Sequence, residues 1–381
     1  MIKNSIIIIP SIMDKDEVCD FLFQTANILS KKNHVYIINN ESFSIKEILQ
    51  SLFSSKKQKV VDRKNKITHL TPLEILPFQR FEVIKKINKN LYLRSLQIYL
   101  SLKHITAQRK IFWMFFPHLN SLTKIIFPSW KIIYDCVDYF QHLSKTMPQQ
   151  EIDLIQAADL VFANSETLLK IHAKYKTGQI FLVPQGFRLQ SFRKEITKKK
   201  KWGINKPILG FIGGISNRLD FKLIYNLAKN NSHWTIVLWG PIISFSGEYK
   251  PKKEIQKLKL LKNVIWGKSK QKDIPSIISS FDIGIIPYDT TIDFNKYCYP
   301  MKIFEYFYLG KPVVSTPIKE LKKIPLFIKT GQSVQEWEEN INDILAKPWP
   351  KKYQRQQRQL AIKNSWENKI EAISKIINDT I

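Results

Sequence analysis

A lysine and a glutamate stand three residues apart in an otherwise apolar stretch, YPMKIFEYFYLGKPVV, at residues 299 to 314. Residues three apart on a helix share a face, so Lys302 and Glu305 point the same way. A lysine beside a ligand neutralises phosphate charge, and a carboxylate one turn on accepts hydrogen bonds from a ribose diol. The same spacing also suits an ordinary helical ion pair, worth only about 0.3–0.5 kcal/mol. Strand ends supply the other candidates. Gly213 and Gly214 let a backbone approach a ligand, and Ser216, Asn217 and Arg218 lead from them into a helix whose N-terminus favours anions. Gly240 and Tyr288 close two further strands. In KIIYDCVDYF, Asp135 and Asp138 sit at a strand end, where each can act as a base or cap the next helix. His118 follows another strand; a lone histidine beside a proline is more often structural than catalytic.

An alternation of strand and helix must position these residues. SIIIIP (5 to 10), a helical spacing of apolar residues between Asp16 and Ser30, and HVYII (34 to 38) form one strand, helix, strand unit of a parallel sheet. KIFWMFF (110 to 116), KIIYD (131 to 135), DLVFAN (159 to 164) and QIFLVP (179 to 184) continue it. The second half restarts with KPILGFIGG (206 to 214), the helix FKLIYNLAKN (221 to 230), WTIVLWGP (234 to 241), NVIWG (263 to 267), DIGIIPY (282 to 288) and KPVVST (311 to 316). Pro300 at the first helical position and Gly310 just past the last predict a helix of about nine residues around Lys302 and Glu305.

The fold class is α/β, with two Rossmann-like parallel-sheet domains. The predicted divisions are an N-terminal domain at 1–192, a polar basic linker at 193–206, a second domain at 207–350, and C-terminal helices at 351–381 packing back on the first domain. A chain of 381 residues is long for one core, and two domains of about 150 to 200 residues are expected. In open parallel sheets, ligands bind beyond the carboxyl ends of the strands, which is where the candidates lie.

The 60 Lys and Arg against 32 Asp and Glu give a formal charge of +28, which predicts attraction to polyanions: nucleic acid, anionic membrane or phosphorylated substrates. Part of the excess also fits a chain rich in Lys, Asn and Ile together. The basic residues concentrate between Lys46 and Lys131, 17 against 4 acidic, interleaved with Phe78, Phe81, Tyr92 and Tyr99. Such a segment can be a core-packed helix with a solvated basic face or can lie on an anionic membrane. Cys19, Cys136 and Cys298 are scattered without metal-ligand spacing, as suits a reducing compartment. The apolar run at the N-terminus is too short for a signal peptide or membrane span, so the expected location is cytoplasmic. Residues 111 to 127 read as strand end, loop and helix.

At this point a resemblance becomes specific. PILGFIGGISNRLDFKLIYNLAKNNSHWTIVLWGP, NVIWGKSKQKDIPSIISSFDIGIIPY and YPMKIFEYFYLGKPVVST, in that order and spacing, resemble bacterial GT-B glycosyltransferases related to teichuronic-acid biosynthesis enzymes and the broader family-4-like group. IIYDCVDYF, AADLVFANSETL and VPQGF match more loosely in the first half. The resemblance implies a cleft between the domains, a nucleotide-sugar donor on the second and a glycan or lipid-linked acceptor on the first, as in cell-surface polysaccharide assembly. It places Glu305 on the glutamate that contacts the ribose and Lys302 on a lysine usual in the subgroup, here assigned to the diphosphate. Many members carry another glutamate eight residues before this one, where Tyr297 stands, which puts donor-sugar recognition, retaining stereochemistry and activity itself in question. An inverting transfer needs a carboxylate base as the anomeric carbon becomes oxocarbenium-like, a role for Asp138 first and Asp135 second. Lys302, Arg218 and helix N-termini would assist departure of the nucleoside diphosphate. The nucleotide-sugar is a substrate; no cofactor and no metal are expected.

The basic, aromatic N-terminal domain also implies peripheral attachment to the inner face of a membrane. A competing reading is a non-enzymatic polyanion-binding protein on a degenerate transferase fold, although no recognition-helix, zinc or RNA-binding motif appears. A dinucleotide enzyme fits less well, because Gly213-Gly214 lacks the GxGxxG spacing.

Overall fold

The structure, a computed structural model, describes residues 1–11, 20–38, 43–44, 61–64, 67–71, 73–74, 76, 81–102, 107–117, 128–140, 147–193, 202, 207–243 and 251–381. They form two compact units, one holding most of the first 184 residues together with Lys369–Ile381, the other Gln185–Asn368.

The first unit is built on an eight-stranded sheet. Its spatial order is Ile180–Leu182, Leu160–Ala163, Lys131–Cys136, Arg109–Met114, Ser5–Pro10, His34–Ile38, Ile67–Leu70 and Val61–Lys64. All neighbours pair in parallel except the last two, which are antiparallel. The expectation of a wholly parallel sheet is corrected there: VDRK has no apolar run to mark it, and it serves only as an edge. Ile6 to Ile9 are all buried, as a central parallel strand covered on both faces requires.

The second unit has six parallel strands, in the spatial order Val264–Gly267, Thr235–Trp239, Ile208–Ile212, Ile283–Ile286, Val313–Ser315 and Ile328–Thr330. Counted along the chain, that order is 3-2-1-4-5-6, the doubly wound arrangement. The strand order reverses between Ile208–Ile212 and Ile283–Ile286, which pair through Leu209 and Gly210. The sixth strand, Ile328–Thr330, was not anticipated, because three residues with one exposed lysine carry no periodic signal.

Contacts divide the chain at Gln185, before the basic run 193–206, most of which lies outside the described residues. The two C-terminal helices also part company. Lys351–Lys363 lies with the second unit: Gln357 Nε2 donates to the Lys311 carbonyl at 2.8 Å, and Arg358 reaches the Tyr308 hydroxyl at 3.2 Å. From Lys369 onward the helix Trp366–Thr380 lies with the first, burying Ile370, Ile373 and Ile377. Cys19, His118 and residues 118–127 lie outside the described residues. Among the described residues no helix is long and apolar enough to cross a membrane.

Candidate functional site

In the second unit, five of the predicted residues come together at the strand-order reversal. The strand Ile208–Ile212 ends in Gly213, whose φ of 135° disfavours any side chain. A Cβ on the facing Gly240 would lie 1.9 Å from the Gly213 carbonyl oxygen, so glycine there is dictated by the approach of two backbones. A Cβ on Gly213 would itself lie 3.4 Å from Lys302 Cε. The Lys302 ammonium donates to the Tyr288 hydroxyl and sits 4.6 Å from that ring and 4.9 Å from the ring of Phe211. The Arg218 guanidinium lies 4.4 Å from the other partner in this group, the Tyr288 ring, and 4.5 Å from Phe294. Two cations held against aromatic faces at a glycine turn make a site suited to anions.

The helix that carries Lys302 and Glu305 spans Lys302–Tyr308, seven residues rather than nine, with Met301 as its N-cap. Pro300 stays outside it. The C-terminus stops as Gly310 predicts: φ is 65°, the Gly310 N–H donates to Phe307 and the Lys311 N–H to Tyr306, the paired bonds of a Schellman motif. Tyr306 anchors the helix one turn beyond Lys302. Its hydroxyl accepts from the Ile212 N–H at 3.2 Å and donates to the Gly210 carbonyl, while burial pushes the phenol well above its ordinary range. Tyr306 therefore goes inward to the sheet, Lys302 stays at the glycine turn, and half-buried Glu305 follows one turn on.

The helix Phe221–Asn230 answers one expectation differently. Its N-terminus was predicted to favour a ligand anion, but Asp220 caps it, accepting from the Leu223 N–H at 2.8 Å. Burial raises the Asp220 pKa in spite of that bond. Gly214 faces Ile243 rather than Lys302. One residue was missed altogether. Asn295, fully buried, accepts from Arg218 Nε at 2.8 Å and donates to the carbonyls of Arg218 and Asp289, at 3.0 and 2.8 Å. It fixes both the guanidinium and the loop that carries it. A single asparagine in DFNKY gives no sign of this, because its partner is 77 positions away. Tyr297, where the resemblance expects a glutamate, has the Lys319 ammonium 4.4 Å and the Lys296 ammonium 5.6 Å from its ring.

The first unit treats its two aspartates unequally. Asp135 is fully buried and paired at 2.9 Å with Lys369, itself almost fully buried. A carboxylate so enclosed cannot reach an acceptor hydroxyl, which corrects its place among the catalytic candidates; no local pattern marks the pairing, since the lysine lies 234 positions on. Asp138 is half-buried in the turn beyond the strand, where its carbonyl accepts from Cys136 Sγ. Beneath that turn lies a closed polar group: Tyr134 donates to Glu151 at 2.8 Å, and His172 Nε2 stands 3.2 Å from the same oxygen. Burial, with the Glu151 charge as a further cause, pushes the Cys136 thiol well above its ordinary pKa.

Residues 192–365 match the family Glycosyl transferases group 1. The chain is 32% identical over 238 residues to a Bacillus subtilis (strain 168) protein named as a teichuronic acid biosynthesis glycosyltransferase, TuaH, a match covering 57% of this chain and 58% of that one. The chain thus spans less than two thirds of that relative's length. Sucrose-phosphate synthase from Thermosynechococcus elongatus superposes with a TM-score of 0.70 at 12% identity, covering 99% of both chains. The lipopolysaccharide outer core galactosyltransferase WaaB superposes with a TM-score of 0.66 at 11% identity, covering 99% of this chain and all of that one. These likenesses establish the GT-B fold.

Proposed function

We propose that this chain, whose residues 192–365 form a group 1 glycosyltransferase domain, transfers a sugar from a UDP- or GDP-sugar to a glycan or lipid-linked acceptor in cell-surface polysaccharide assembly. The observation that carries the reading is the convergence of Gly213, Gly240, Tyr288, Arg218 and Lys302 where the sheet order of that domain reverses. The glycines admit the diphosphate to the backbone. Lys302 stabilises charge on the departing nucleoside diphosphate as the bond from the anomeric carbon to oxygen breaks, with Arg218 beside it. Glu305 accepts hydrogen bonds from the ribose hydroxyls. Asp138 takes the proton of the acceptor hydroxyl as its oxygen forms the new bond. The resemblance to TuaH supports the surface-glycan acceptor class.

A thermal-shift screen against UDP, GDP, ADP and their sugars tests this. Stabilisation by one nucleotide diphosphate, lost in Glu305→Ala, is expected; no shift with any of them overturns the reading. Asp138→Asn is expected to depress kcat while leaving nucleotide binding intact.

The proposal extends to an anionic membrane surface, because the helix Glu82–Leu102 in the first unit bears an exposed apolar stripe. Val83, Ile87 and Ile98 are 67%, 39% and 59% exposed. With exposed Arg94 they fall within about 60° around the helix axis, at 100° per residue. Leu93, Leu96 and Leu100 turn the other way and are buried. Apolar residues around an arginine, on the outer face of a basic segment, suit the headgroup layer of anionic lipid. Co-sedimentation with phosphatidylglycerol vesicles at moderate salt, abolished in Val83→Asp/Ile87→Asp, is the expected result; absence of wild-type binding removes this part of the proposal.

A further inference from the structure

The closed polar group under the Asp138 turn is not used by the transfer chemistry. Cys136 ends the strand Lys131–Cys136, Glu151 lies in the first turn of the helix Gln149–Ala157, and His172 ends the helix Glu166–His172. A thiol sulfur, a carboxylate oxygen and an imidazole nitrogen, one from each, fall within 4.8 Å of one another, and all three residues are buried. Their hydrogen bonding is incomplete. Tyr134 serves one Glu151 oxygen, but the other has no partner; His172 Nε2 stands 3.2 Å from the served oxygen without bonding to it, and Nδ1 has no partner either. Buried polar atoms left in this way cost about 1–3 kcal/mol each, so three in one place need an occupant or an explanation.

We propose that Cys136, Glu151 and His172 hold a structural divalent cation of the zinc type. Sulfur, nitrogen and oxygen donors in one set select a borderline-soft ion over magnesium or calcium, which prefer oxygen alone. Thiolate and carboxylate together carry two negative charges, so a divalent cation leaves the dry site neutral, as burial demands. The thiol gives up its proton to solvent when the ion binds, and no electron moves. The ion ties the strand end to two helices and supports the turn bearing Asp138, which Asn164 also braces through its bond to the Val137 carbonyl. In sequence the ligands are 15 and 21 positions apart on three separate elements, a spacing no metal motif shares.

Full-length protein purified without chelator is expected to retain stoichiometric zinc by mass spectrometric metal analysis. Chelator-stripped protein is expected to melt several degrees lower and to recover with zinc but not magnesium. Titrated with Co²⁺, the stripped protein should develop a thiolate-to-cobalt charge-transfer band and tetrahedral visible absorption. The band should persist in Cys19→Ser/Cys298→Ser, which leaves Cys136 as the sole thiol without disturbing the buried group. Folded wild-type protein that retains no zinc and gives no cobalt–thiolate band overturns the proposal, as does a band that vanishes in the double variant while that variant remains folded.

Discussion

The two units use the same strand–helix grammar and finish their strands in opposite ways. In the second unit, the strand ends beside the order reversal are glycines and cations. Lys302 and Arg218 rest on aromatic rings beside the turn. In the first, the strand Lys131–Cys136 ends in groups shut away from solvent: Asp135 paired with Lys369, and Tyr134 and His172 packed around Glu151. A strand end in an α/β sheet is thus an opportunity for a substrate only where its charged groups stay within reach of solvent. Position at the carboxyl edge is necessary, and burial decides the rest.

The strongest way to break this contrast is to open the closed end. Lys369→Met leaves Asp135 buried without a partner and is expected to cost about 3–5 kcal/mol in chemical denaturation. Lys369→Met/Asp135→Leu should recover most of that loss and retain transfer activity. An inactive but stable double variant would return Asp135 to the catalytic list.

At the open end the effect is on turnover. Lys302→Ala is expected to lower kcat by roughly 10²-fold, as loss of one preorganised charge against a developing anion does, while melting temperature changes little. Glu305→Ala should weaken nucleotide binding by about 10-fold in calorimetry, the worth of one charged hydrogen bond. An equal loss of stability in Lys302→Ala would mean that its cation–aromatic contacts, rather than a ligand, explain its presence.

The smallest effect sharpens the comparison from outside both sites. Ser333 and Glu336 form a capping box on the helix Val334–Leu345, and backbone donors hold the Glu336 pKa below its ordinary value. A carboxylate with a depressed folded pKa contributes stability above its unfolded pKa and loses it as pH falls through the folded one. Ser333→Ala is expected to cost about 1 kcal/mol at neutral pH. In Glu336→Gln, the acid-side decline in stability should be shallower than in wild type, with transfer activity untouched in both.

Much of this was legible before any coordinates. Runs such as SIIIIP and WTIVLWGP announce buried parallel strands, because a strand covered on both faces has no place for polar residues. Gly310 announces its own helix end, since few other residues take a left-handed turn there. Short edge elements such as Val61–Lys64 and Ile328–Thr330 were not legible, because four or three residues cannot display a period. Of the site, residue types were readable and partnerships were not.

The sequence by itself determined the α/β class, the strands that form both cores, and the existence and C-terminal end of the helix bearing Lys302 and Glu305, because these follow from local periodicity and from the backbone freedom of glycine. Only the tertiary structure decided that Gly213, Gly240, Tyr288, Arg218 and Lys302 meet, that Asn295 fixes Arg218, and that Lys369 removes Asp135 from solvent. Those outcomes rest on side chains 14 to 234 positions apart. What a charged group does depends on its neighbours and its access to water, and both are set by packing.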